Sequence, residues 1–126
     1  MALFHIHADA DGESILTEVD LPVTDGPAGP VQGLHGVPVT SFGVAYFVDR
    51  KPDTGLHPAP QRQFIVIARG EIEIETARSG SRRLQPGDVM FADDVDTPGH
   101  HTRDVGEEPA GMMVIPVEEG WAFPGA

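Results

Sequence analysis

The chain has 126 residues, 40% of them hydrophobic, with no cysteine and a net charge of −12 from 20 acidic against 8 basic side chains. That length predicts one domain around one core, compact to a radius of gyration of roughly 14 Å. The lack of thiols excludes disulfides, cysteine nucleophiles and thiolate metal sites. The acidic balance argues against nucleic acid and anionic membrane as partners, because both are gripped through Lys and Arg.

No apolar run approaches the roughly 18 residues of a membrane span, and Met1 to His7 shows neither the basic flank nor the apolar stretch of a secretory signal. A soluble, cytoplasmic protein is the expectation, in keeping with the absence of cysteine.

In chain order, Leu3 to Ala8 alternates Leu3, His5, His7 against Phe4, Ile6, Ala8 and predicts a short strand that ends at Asp9-Ala-Asp-Gly12. With no third ligand beside them, His5 and His7 are expected as the exposed polar face of an edge strand rather than as a metal site. Ser14 to Leu21 is a strand or a turn of helix. From Pro22 to Pro38 the chain turns to glycine and proline, which forbids helix and predicts an ordered loop or arm with His35 as a loop histidine.

Thr40 to Val48 alternates Phe42, Val44, Tyr46, Val48 as a strand of β-formers, and Arg50 to Gly55 is a charged turn. The stretch His57 to Gly70 follows. If extended, it points His57, Ala59, Gln61, Gln63, Ile65 and Ile67 one way and Phe64, Val66 and Ala68 the other, which sets polar groups at the rim of an apolar hollow. Alternation turns Arg62 away from that hollow. Arg69-Gly70 reads as a hairpin leading to Glu71-Ile-Glu-Ile-Glu75, with Ile72 and Ile74 inward. Arg82 and Arg83 on the return strand are expected opposite Glu73 and Glu75 as surface ion pairs worth about 0 to 1 kcal/mol each, not as partners of a catalytic carboxylate pair.

After the Pro86-Gly87-Asp88 turn come Val89 to Ala92, an acidic turn from Asp93 to Gly99, a strand from His100 to Val105, and a last strand from Gly111 to Val117. Trp121 and Phe123 in the tail are expected to dock on the body or on a second subunit. Short strands with glycine and proline turns, and no helix longer than a turn or two, predict an antiparallel sandwich or barrel. One domain spans 1–126, divided into an N-terminal strand and arm over 1–39, a core over 40–117 and a tail over 118–126.

The core resembles the cupins. Their first motif runs from a glycine through His-x-His, three or four residues, a glutamate and six residues to a second glycine. Gly70 matches the closing glycine, Gln63 stands at the glutamate position, and His57 and Ala59 stand at the two histidine positions. The second motif opens with Pro-Gly-Asp, matched by Pro86-Gly87-Asp88. Its proline and glycine fall by strict counting on Asp93 and Val95, and the histidine arrives two or three residues late, as His100 or His101. The resemblance covers about Thr40 to Val117.

The resemblance implies an all-β antiparallel jelly-roll or cupin barrel, working as a homodimer, whose lumen holds a divalent iron, manganese, nickel or zinc ion. His57, Gln63 and His100 would be its ligands, and the activity that of a dioxygenase or isomerase. Replacing the glutamate by Gln63 leaves a donor set without charge, which weakens attraction to a dication. A metal-free lumen is equally open. There Ala59 frees volume for a polar small molecule held by His57 and Gln63, with Gln61, His101, Thr102 and Arg103 around it. If His100 faces the lumen, Thr102 joins it; if His101 does, Arg103 follows and supplies a carboxylate anchor. A non-catalytic dimerisation module with a vestigial pocket is the third reading. Whether the protein is an enzyme stays open at this level.

Overall fold

A computed structural model describes residues 1–20, 33–48 and 54–124. Among these there are nine strands and no helix: β1 (Leu3–Ala8), β2 (Ser14–Val19), β3 (Gly43–Tyr46), β4 (Gln63–Arg69), β5 (Ile72–Thr76), β6 (Gly80–Leu84), β7 (Val89–Ala92), β8 (His101–Asp104) and β9 (Gly111–Pro116). Residues 21–32 of the expected arm and 49–53 of the expected charged turn lie outside the described residues. No helix of the described residues is long and apolar enough to cross a membrane.

The strands form two sheets, one of six in the order β2-β1-β7-β4-β9-β3 and one of three in the order β6-β5-β8. This corrects the expectation of a single closed barrel. Pairing is antiparallel except between β1 and β7, where Leu3 to Ile6 run parallel beside Val89 to Ala92.

Period-two alternation explains the layering. Phe4, Ile6, Ile65, Ile67, Met90 and Ala92 of the large sheet meet Ile72, Ile74 and Leu84 of the small one in a single buried cluster. Each such aliphatic or aromatic side chain contributes about 1.5–3 kcal/mol on burial. The opposite face of the large sheet carries Leu3, Phe64 and Phe91, and the tail folds back over it with Phe123. Leu34 and Val37, at the end of the arm, pack against the same cluster. Trp121 and Phe123 thus dock on their own chain.

Gly70 marks where the chain leaves one sheet for the other. β4 bulges between Ile67 and Arg69, Gly70 takes φ +71°, and a Cβ there would lie 2.8 Å from the Cα of Ala110. Arg69-Gly70 is therefore an inter-sheet corner and not a hairpin, since β4 and β5 belong to different sheets.

Two surface expectations change as well. β1 is no edge strand: it lies between β2 and β7, and His5 is only 5% exposed. Glu73 does stand opposite Arg83, but Arg82 stands opposite Ile74, and Arg82 and Arg83 pair with Glu18 and Glu71.

Candidate functional site

The site sits between the two sheets, where the chain before β4 meets the chain before β8. His57 and His100 form an isolated antiparallel bridge in which each backbone N–H donates to the other residue's carbonyl, at 3.1 and 3.0 Å. Directly paired residues of an antiparallel bridge put their side chains on one side, and the two imidazole centroids are 5.3 Å apart. Gly99 makes this approach possible. It has φ +108°, and a Cβ there would lie 2.1 Å from the carbonyl carbon of His57.

The rings line a cavity of about 180 Å³ together with Thr54, Ala59, Gln63 and Thr102 and with the apolar Phe47, Ile65, Ile72, Ile74, Met90 and Met112. The β4 alternation and the His57–His100 bridge thus bring His57, Ala59, Gln63, His100 and Thr102 to one hollow.

Three other candidates lie elsewhere. Gln61 stands behind Gln63 and donates its amide N–H to Gln63 Oε1 at 3.1 Å. His101 stands opposite Glu75 in the β5–β8 ladder. Arg103 donates to Glu73 at 3.3 Å and to Glu75 at 2.9 Å. None of the three lines the cavity. The register option in which His101 and Arg103 face inward is therefore corrected, because His100 takes the inward position through its bridge to His57. Arg62 points away, bonded to Asp93 at 2.6 Å.

Hydrogen bonds fix the tautomers. His57 Nδ1 is 2.9 Å from the Gly55 carbonyl, which can only accept, so Nδ1 carries the proton. His100 Nδ1 is 2.6 Å from Asp94 Oδ2 and donates to that carboxylate. In the neutral form of either ring Nε2 is then the lone-pair nitrogen.

Asp94 is the residue that the sequence reading passed over. It is fully buried and accepts from His100, from the Ser14 hydroxyl at 2.6 Å and from the Ala59 N–H at 3.2 Å. Thr97 extends the network, with its hydroxyl 2.6 Å from that of Ser14. Burial pushes the Asp94 carboxyl up and is the largest single influence, yet the hydrogen bonds from His100, Ser14 and Ala59, with the charge of a protonated His100, together hold it below the ordinary value. The available signal was the Asp93-Asp94 doublet. Successive residues of an extended chain face opposite ways, so one of the two had to point inward.

As a metal centre the donor set is short. Two imidazoles face the hollow, and the Gln63 carbonyl oxygen already accepts from Gln61. Among the described residues no group of three His, Cys, Asp or Glu is placed to hold a metal ion. The residues present do not fit a tightly held divalent ion.

No protein-family model matches the chain, and no curated protein matches it in sequence.

Proposed function

We propose that the chain is a cupin-type protein that binds a small, uncharged, polar organic molecule between its sheets. His57, His100 and Gln63 grip its hydroxyl, carbonyl or amide group. The observation that carries this reading is the composition of the hollow: two imidazoles, an amide and threonine hydroxyls beside aliphatic and aromatic groups, with no charged residue among the described residues that line it. A cavity of about 180 Å³ matches the liquid volume of about six waters, which suits a compact ligand. Arg62 and Arg103 are both engaged elsewhere, so neither anchors a carboxylate or phosphate there.

The two Nε2 atoms, in the neutral rings, accept hydrogen bonds from a ligand hydroxyl or N–H, and the Gln63 amide nitrogen donates one to its carbonyl. Asp94 orients His100 and stabilises its imidazolium if a ligand proton moves to Nε2. The metal-dependent dioxygenase or isomerase reading has less support, since the inward donors are two imidazoles and one amide. The dimerisation-module reading leaves the His100–Asp94–Ser14 network without a role.

The test is a thermal-shift panel of small hydroxyketones, alcohols and amides beside carboxylates of the same size, at pH 7.5. Neutral compounds are expected to raise the melting temperature of the wild type and not that of His57→Ala or His100→Ala. A panel without a single binder, or binders that both variants retain, refutes the reading.

A further inference from the structure

The tail crosses the face of the large sheet turned away from the small one, and its rings fasten it there. Trp121 lies 5.8 Å from Phe64 and 5.3 Å from Phe91, and Phe123 stacks on Phe91 at 5.3 Å and on His5 at 4.3 Å. Past Glu118, whose N–H donates to the Pro38 carbonyl at 2.9 Å, no backbone hydrogen bond among the described residues joins the tail to a strand. Gly120 turns the chain into this stretch with φ +87°, and a Cβ there would meet nothing within 4 Å. The sheets are held by their ladders and by the cluster between them, so the tail is the unit able to open by itself.

One titratable group is part of that fastening. His5 is sandwiched between the ring of Phe123 and, at 4.4 Å, that of His7 on its own strand. From β2 it faces Thr17 and from β7 Phe91. Past the end of β7, Asp93 brings Oδ2 to 2.9 Å from its Nε2, and Arg62, before β4, holds the same carboxylate at 2.6 Å. Glu118 and Glu119 of the tail are exposed.

The neutral ring satisfies Asp93 through one N–H. A second proton puts a full charge into a stack where Phe123 shuts water out. That burial is the largest influence against the charge, a protonated His7 and Arg62 add to it, and Asp93 offsets only part. Lifting Phe123 returns water to the ring, and a cavity of about 580 Å³ beside the stack, lined by His5, His7, Asp93 and Phe123, leaves room for it. The released state therefore binds the proton more tightly than the docked one, so release grows as pH falls below about 6.5 and is suppressed above it. We propose that residues 119–124 are an acid-released strap: protonation of His5 undocks Trp121 and Phe123 and bares Phe64 and Phe91 while both sheets stay folded.

Trp121 is the only tryptophan of the chain and reports the strap directly. From about pH 7.5 to about pH 5, across the histidine range, its emission is expected to shift to the red and its quenching by acrylamide to rise several-fold, with unchanged far-ultraviolet circular dichroism. An emission indifferent to pH, or one that moves only together with the dichroism, overturns the inference. His5→Phe keeps a ring against Phe123 and is expected to hold Trp121 docked over the whole range; a transition that persists in this variant overturns the assignment to His5. Should the variant fail to fold, proton resonance of the wild type decides. The His5 ring is expected to titrate with the midpoint of the fluorescence change, and separate midpoints overturn the inference. Phe123→Ala is expected to show the red-shifted, readily quenched emission already at pH 7.5, and a wild-type emission there counts against the strap.

Discussion

Asp93 and Asp94 are neighbours in the chain, and each holds a histidine on its own side of the large sheet. Asp94 pairs with His100 at 2.6 Å and is shared only with groups that donate to it, the Ser14 hydroxyl and the Ala59 N–H. Asp93 pairs with His5 at 2.9 Å but also with Arg62 at 2.6 Å. His5 lies between two rings, with Phe123 at 4.3 Å and His7 at 4.4 Å. The same two residue types thus build a site in one place and a clasp for the tail in the other. What separates them is the hollow in front of His100 and, among the described residues, the absence of a competing cation on Asp94.

The harshest way to break that contrast is Gly99→Ala. A Cβ 2.1 Å from the His57 carbonyl carbon cannot be absorbed by a side-chain rotation, so a loss of about 4 kcal/mol or more in urea denaturation is expected. If the variant is tolerated, the two imidazoles are not held as close as described. Asp94→Ala comes next. It strips the acceptor from buried His100 and Ser14, an expected cost of about 3 kcal/mol, whereas Asp93→Ala is expected to cost about 1 kcal/mol because its pairs are partly solvated. Equal losses erase the distinction. Asp94 also sets an acid limit. Its folded pKa lies below the ordinary carboxylate value, so its stabilisation is present above about pH 4 and disappears as pH falls through the lower folded value. Asp94→Asn is expected to flatten that limb of the stability–pH curve.

Sequence patterning made the strands legible because alternation is a local property. Phe4 and Ile6 against Leu3 and His5, or Ile72 and Ile74 against their glutamates, sort into faces without knowledge of the neighbours. What sits beside a strand is not local. β1 looked like an edge because its histidines are polar, yet the parallel partner β7 comes from more than eighty residues away. The Arg69-Gly70 turn looked like a hairpin because a glycine at positive φ serves a hairpin and an inter-sheet corner equally well. At the site, motif spacing and alternation named His57, Ala59, Gln63 and His100. Spacing could not name Asp94, whose partners Ser14 and His100 lie on segments that only the folded topology brings together.

Placing metal-ligand residues at Ala59 and Gln63 tests what the hollow lacks as a metal site. Ala59 and Gln63 both line the hollow with His57 and His100, so Ala59→His with Gln63→Glu adds a third imidazole and one anionic oxygen. Zinc affinity, measured by competition with a chelator, is expected to rise about 100-fold over the wild type. A matched pair of substitutions beside the other histidine pair, Thr17→His with Val19→Glu, is expected to gain far less. No gain at Ala59 and Gln63 argues that their Cβ vectors do not converge with the imidazoles, and the cupin-type reading of the hollow loses its geometric basis.

The smallest expected effect comes from the clasp and turns on the sign of one titration. Burial lowers the pKa of His5 below 6.5, and the nearby His7 and Arg62 add to this, while the hydrogen bond and charge of Asp93 pull the other way without prevailing. The unfolded chain therefore takes up the proton first. Stability is complete above about pH 6.5, falls as pH drops from there to the folded value, and levels off below it. This window lies above the one set by Asp94, so the two limbs separate in a single pH series of urea midpoints. His5→Phe keeps a ring in the stack with Phe123 and removes the titration; it is expected to abolish the upper limb and leave the lower one in place. Had Asp93 prevailed and held His5 as an imidazolium, acidification through pH 6.5 would raise stability instead. A rising limb would therefore mean that the clasp is an ion pair, and that Arg62 does not hold Asp93 away from the histidine.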